Sequence, residues 1–175
     1  MDFFLGRKAL SVQQPTVSFE ERRRQQRLQA ERRAQQLFSI VVPVLRTAGV
    51  RRAYCRYDGG SDEGFAWFDH YETEDGTRVD VNLVGQKLRD AKIDDELIAA
   101  QLMHREPWPS DREAEMLERA VRSMLAFEWA SMLLGNSFGT GEYLMYGAFT
   151  ADLEECVIAD DPKADPIVEN ITIVR

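Results

Sequence analysis

Two hydrophobic periodicities divide the chain. From Ala30 onward, Ala30, Ala34, Leu37, Val41, Val44, Leu45 and Ala48 recur at helical spacing, so a helix over this stretch buries one apolar stripe. Ser18 followed by Glu21 fits a capping box at its start, and Gly49 marks its end. Residues 20–36 hold six Arg, five Gln and three Glu, with little that is apolar besides Leu28, Ala30 and Ala34. The first half of the helix is therefore expected to project into water while the second half packs. Pro43 removes a ladder hydrogen bond and predicts a kink or a break near Ser39 to Val42.

Past Gly49 the period falls to two. Ala53, Cys55 and Tyr57 alternate with Arg52, Tyr54 and Arg56; Phe65, Trp67, Asp69 and Tyr71 alternate with Ala66, Phe68 and His70; Val79, Val81 and Leu83 alternate with Arg78, Asp80 and Asn82. The third run reads as the cleanest half-buried strand. Asp75-Gly76 supplies a hairpin turn ahead of it, so the three are expected to form an antiparallel meander.

Asp94 to His104 then reads as a short helix stopped by Pro107-Trp108-Pro109. Ser110 with Glu113 repeats the capping box and opens a long helix to Leu134, with Gly135 beyond it. Its apolar residues, from Ala114 and Leu117 to Phe127, Met132 and Leu133, cover more than one face, which makes it the central helix. After the Gly-rich link 135–141, residues 142–150 and 155–160 read as a second hairpin, and Ile167, Val168, Ile171, Ile173 and Val174 as a terminal strand. The expected fold is α+β: an antiparallel sheet of about five to six strands packed against a long central helix, with a basic N-terminal helix. Residues 1–17 are an arm, and 18–175 form one domain from which the Arg/Gln-rich helix 18–36 projects.

Composition changes little in this picture. A chain of 175 residues with 44% apolar content buries roughly two thirds of its unfolded surface and needs no disulfide or metal for stability. Cys55 and Cys156 read as isolated buried thiols. No apolar run reaches the length of a membrane span, and the first residues lack a basic lead before an apolar core, so a cytoplasmic protein without membrane contact is expected.

Charge changes more. Residues 1–52 contain 11 Lys and Arg against 4 Asp and Glu, or +7; residues 53–175 contain 11 against 26, or −15; together these give the net −8. A body this acidic repels nucleic acid, which leaves the basic helix as the one route to DNA or RNA.

The order of helix, Ala48-Gly49-Val50, strand ending Tyr57-Asp58-Gly59, Asp62-Glu63-Gly64, long helix and the hairpin Gly147-Ala148-Phe149-Thr150-Ala151-Asp152 is similar to a family of uncharacterised bacterial proteins often carried on plasmids. Cys156-Val157-Ile158-Ala159-Asp160 continues the similarity, which spans residues 37–161. The chain has Ser61-Asp62-Glu63-Gly64 where the family pattern resembles Gly-Asp-Ser-Gly, and Asn136-Ser137-Phe138 where the family has a Trp-Glu step. The resemblance implies an α+β fold and a home on mobile DNA; it implies no activity.

The chemistry-bearing residues leave several functions open. Asp58, Asp62 and Glu63 lie in a glycine-rich turn that could hold a divalent cation, although the spacing misses the EF-hand pattern and a wet corner is the favoured explanation of the acids. Alignment of Asp152, Asp160 or Asp161 with this turn would make it a site. His70 follows Asp69 on a strand, where neighbours point to opposite faces, so the two are not expected to pair. His104 is placed at a helix C-terminus, and the 135–141 glycines do not have the strand-to-helix context of a phosphate loop.

The partner-binding candidates are Arg22, Arg23, Arg24, Arg27, Arg32 and Arg33 on the basic helix, and Trp108 between two prolines as an anchor or a packing residue. The favoured expectation is a non-catalytic protein-binding protein without a cofactor, its acidic body docking on a protein partner and its basic helix offering a second surface to a partner or to its own kind. The alternatives are a counter-defence inhibitor that mimics nucleic acid, and a metal-dependent hydrolase or nuclease using Asp58, Asp62 and Glu63.

Overall fold

The computed structural model describes residues 18–60, 63–135, 138 and 145–161, apart from the side chains of Phe19 and Arg23. Among them are four helices and a five-stranded antiparallel sheet with a long helix packed against it. Helix α1 (Phe19–Thr47) begins as its capping box requires, the Ser18 hydroxyl accepting from the Glu21 amide at 3.2 Å. It ends at Gly49, whose φ of +84° lies in the left-handed region. Of the kink or break expected at Pro43, the break does not occur: Pro43 sits inside the helix without dividing it. Val41 and Leu45 on either side are fully buried, and this anchorage outweighs the one lost hydrogen bond.

The sheet order is β3-β2-β1-β4-β5, formed by β1 (Arg52–Gly60), β2 (Glu63–Glu72), β3 (Arg78–Val79), β4 (Met145–Asp152) and β5 (Val157–Asp161). Every pairing is antiparallel. At the β2–β3 turn Gly76 takes φ +82°, while the Thr73 amide donates to the Thr77 carbonyl at 2.9 Å. The expected terminal strand at 167–174 lies outside the described residues, as does most of the 135–141 link.

Several expectations are corrected. The third strand stops after two residues, because the Asp80 carboxylate accepts from the Asn82 amide at 2.9 Å and caps helix α2 (Val81–Asp90). Val84 and Leu88 are fully buried and Leu83 is exposed, which is helical rather than alternating burial. Lys92, in the left-handed conformation, separates α2 from α3 (Ile93–Ala99). That helix starts one residue early and ends well before His104, terminated where Gln101 turns left-handed. Helix α4 (Glu113–Leu134) begins without the Ser110–Glu113 box: Arg112 is the cap residue and makes no side-chain cap, pairing with Glu115 instead.

The core lies between α4 and one face of the sheet. Leu117, Val121 and Leu125 of α4 pack in one cluster with Ala53, Cys55, Tyr57, Tyr71 and Phe149, and Phe68 packs against it. Leu37, Val41 and Leu45 of α1 and Val84 and Leu88 of α2 belong to the same cluster. Gly85 permits the close approach of α2 to α4, since a Cβ there would lie 2.5 Å from the Ala114 carbonyl oxygen. Each fully buried leucine in such a cluster contributes about 1.5–3 kcal/mol.

Candidate functional site

Among the described residues no helix packs on the other face of the sheet, which is called the open face, and strand pairing sets out its residues in rows. Phe65, Asp58 and Tyr146 align across β2, β1 and β4; Trp67, Arg56, Ala148 and Asp161 form the next row; then come His70, Tyr54, Thr150 and Ala159, and finally Glu72, Arg52, Asp152 and Val157. Phe65 is 54% exposed, Tyr146 47% and Trp67 40%, so three large aromatics, two on β2 and one on β4, meet water. Around them stand Asp58, Glu63, Asp69, Glu72, Asp152 and Asp161 against Arg52, Arg56 and Arg78; six carboxylates less three guanidiniums leave −3.

A bulge shapes the middle of this face. Tyr54 pairs with His70 but Cys55 pairs with Phe68, so Asp69 is the extra residue on β2. Strict alternation would have put Tyr71 beside Trp67; the bulge returns Tyr71 to the core with Phe68. It also overturns the expectation that Asp69 and His70 diverge, since His70 Nδ1 lies 3.4 Å from Asp69 Oδ2. His70 Nε2 lies 3.0 Å from Glu72 Oε1, and because a carboxylate only accepts, Nε2 carries the proton. The ring stacks on Tyr54 with centroids 4.5 Å apart and planes within 7°. Burial pushes the Tyr54 hydroxyl above the usual tyrosine range, and its hydrogen bond to Glu72 adds to the shift. Glu72 thus ties Tyr54 and His70 into a flat, preformed patch.

The expected site residues distribute unevenly. Asp58 and Glu63 both belong to the open face, near the strand ends, and Asp62 lies outside the described residues. Asp152 is opposite Arg52, six residues along β1 from Asp58, or about 20 Å. It is engaged by Arg51 at 3.1 Å; although partial burial works against it, the Glu155 and Glu154 amides and Arg51 hold its carboxyl below the usual range. Asp160 accepts from the Tyr57 hydroxyl at 3.1 Å, while burial, ahead of that bond, pushes Tyr57 up to about 12. Asp152 and Asp160 therefore do not join Asp58; Asp161 shares the open face but lies two strands away and one row along, and no group of three His, Cys, Asp or Glu is placed to hold a metal among the described residues.

Of the basic-helix candidates, Arg22, Arg24, Arg27, Arg32 and Arg33 are exposed on α1, and nothing is described of the Arg23 side chain. Arg27 pairs with Glu31 at 2.9 Å and Arg33 with Glu128 at 3.4 Å. Trp108 is half-buried and packs against the core. His104 is exposed beyond α3, not at its terminus. Cys55 is buried as expected, its thiol pushed up by burial and by Asp69, but Cys156 is exposed in the β4–β5 turn. Two grooves of about 600 and 1050 Å³ flank α1 where it passes α4, walled by residues such as Gln26, Ala30, Phe127 and Met132, remote from His70.

Among the described residues, one strongly perturbed carboxyl lies in the core. Glu118 of α4 is 3% exposed, its Oε1 has no hydrogen-bond partner, and Arg122 Nε is 3.5 Å from Oε2. Burial raises it to about 7, against the opposing charge of Arg122. It faces Tyr71, whose hydroxyl burial raises well above the ordinary value.

Periodicity could not reveal the bulge, which depends on pairing. The spacing of His70 and Glu72, two apart on a strand and hence on one face, was a usable signal for the patch. No family model matches this chain, and no curated protein or solved structure matches it.

Proposed function

We propose that the protein is a non-catalytic binding protein and that the open sheet face is its docking surface. The observation that carries this reading is the exposure of Phe65 and Trp67 on β2 and of Tyr146 on β4, on one face of the sheet and rimmed by carboxylates. Exposed aromatics clustered in this way mark interaction surfaces, because they bury large area at small entropic cost. Electrostatics selects the partner's chemistry: a surface carrying −3 among aromatics takes a basic protein segment with an apolar centre. His70 lines neither of the two grooves beside α1. Arg52, Arg56 and Arg78 interrupt the carboxylates, which disfavours mimicry of a nucleic-acid backbone.

A photoreactive phenylalanine analogue in place of Phe65, irradiated in cells, tests the reading. The expected result is a discrete protein adduct that disappears when Trp67→Asp is added. Absence of any protein adduct, with the fold intact by circular dichroism, overturns it.

A further inference from the structure

The outward side of α1 carries a stripe that matches the open face. Arg24, Leu28 and Arg32 are four residues apart, hence one above another on the helix, and all are exposed, Leu28 at 44%. The body-facing side of the same helix is marked by buried Ala34 and Leu37. Among the described residues no ion pair engages Arg24 or Arg32, whereas Arg27 and Arg33 are both paired. Residues 20–36 sum to +3, from six Arg and three Glu.

Spacing agrees with charge. Arg24 and Arg32 are about 12 Å apart along the helix axis, at 1.5 Å per residue. On the sheet, Asp58 aligns with Phe65, and Asp69 lies four residues further along β2, about 12 Å allowing for the bulge. Trp67 occupies the interval between these carboxylates, as Leu28 occupies the interval between the arginines; Arg56 lies opposite Trp67, its Nη2 4.0 Å from Asp69 Oδ2, so Arg32 would share Asp69 with it. The chain's own stripe cannot reach its own open face: α1 packs on α2, α3 and α4, and α4 lies on the opposite side of the sheet.

We infer that the occupant of the open sheet face is the Arg24–Leu28–Arg32 stripe of a second copy of this chain, with Leu28 seated on Phe65 and Trp67 and the two arginines on Asp58 and Asp69. This rests on the open face being a docking surface. The contact joins different patches of the two copies, so it closes into a dimer when exchanged reciprocally and otherwise propagates.

Sedimentation velocity on the full chain tests it, at about 0.05 M and about 0.5 M salt. Self-association is expected at low salt, weakened by at least roughly tenfold at high salt. Arg24→Glu with Arg32→Glu, and separately Phe65→Ser with Trp67→Ser, each abolish it while leaving the thermal midpoint in place, because all four positions are exposed. An equimolar mixture of these two variants restores a one-to-one complex, since the second supplies an intact stripe and the first an intact face. A wild type that stays monomeric at low salt, or association that survives both variants, overturns the inference. If the photoreactive group at position 65 then captures a different protein, the docking reading stands and only the self-pairing falls; no protein adduct at all removes both.

Discussion

On the covered face of the sheet Tyr57, Phe68, Tyr71 and Phe149 pack beneath α4, while on the open face Phe65, Trp67 and Tyr146 stand exposed and Tyr54 lies half-buried against His70. Each face carries four aromatics on the same three strands, so aromatic content does not decide burial. What differs is the neighbours. Aliphatic residues of α4 meet the first face, whereas charged residues of β1, β2 and β4 occupy the rows between the aromatics of the second. The covered face buries its aromatics in the core, and the open one leaves its own exposed, the area on which the proposed association draws.

The largest expected effect sets the two faces directly against each other. Phe149→Ala, in the core, is expected to lower the unfolding free energy by about 3–5 kcal/mol, and Phe65→Ala on the open face to change it by no more than about 0.5 kcal/mol. Urea denaturation of both variants measures this, and equal losses would break the comparison.

A second test concerns the acid buried on the covered side. Because the folded-state pKa of Glu118 is raised to about 7 from an ordinary 4.5, the native state holds the proton more tightly than the unfolded chain. The protein is therefore favoured at low pH and loses stability as pH rises through the interval from 4.5 to about 7, by up to about 3 kcal/mol. Glu118→Gln removes that slope, so the wild type should fall relative to the variant across this range and run parallel above it. Parallel curves throughout would show that Glu118 does not titrate there. Below this range Glu115 and Asp152, whose folded pKa values are lowered, act in the opposite sense.

The smallest effect sharpens the picture of the open patch. Tyr54→Phe removes the hydroxyl that bonds to Glu72 but keeps the ring on His70, and should cost under about 1 kcal/mol in thermal or urea unfolding. A larger loss would mean that the patch supports the fold and is more than a surface.

Much of the architecture was legible along the chain because it depends on neighbours within one turn. Ser18 and Glu21 announce the start of α1, Gly49 its end and Gly76 the hairpin, each through local hydrogen bonding or positive φ. Where two local signals competed, periodicity misled. Val79, Val81 and Leu83 alternate as a strand would, yet Asp80 caps a helix and Val84 and Leu88 bury it against α4 and α1. The Ser110–Glu113 pattern has the right spacing, but the chain enters α4 by another path, with Arg112 as cap. The acidic turn at Asp58 has the composition of a cation site, whereas pairing places Asp58 and Glu63 on the open face and keeps Asp152 and Asp160 apart from them.

By itself the amino-acid order determined the two-part character of α1, the buried side of β1, the extent of α4 and the split between a basic helix and an acidic body, since these follow from local spacing and charge. The tertiary structure alone decided where β2 changes face, that His70 meets both Asp69 and Glu72, and which aromatic face stays open. A strand's alternation is symmetric between its two faces; the choice is made only when a bulge sets the register and a helix distant in sequence covers one side.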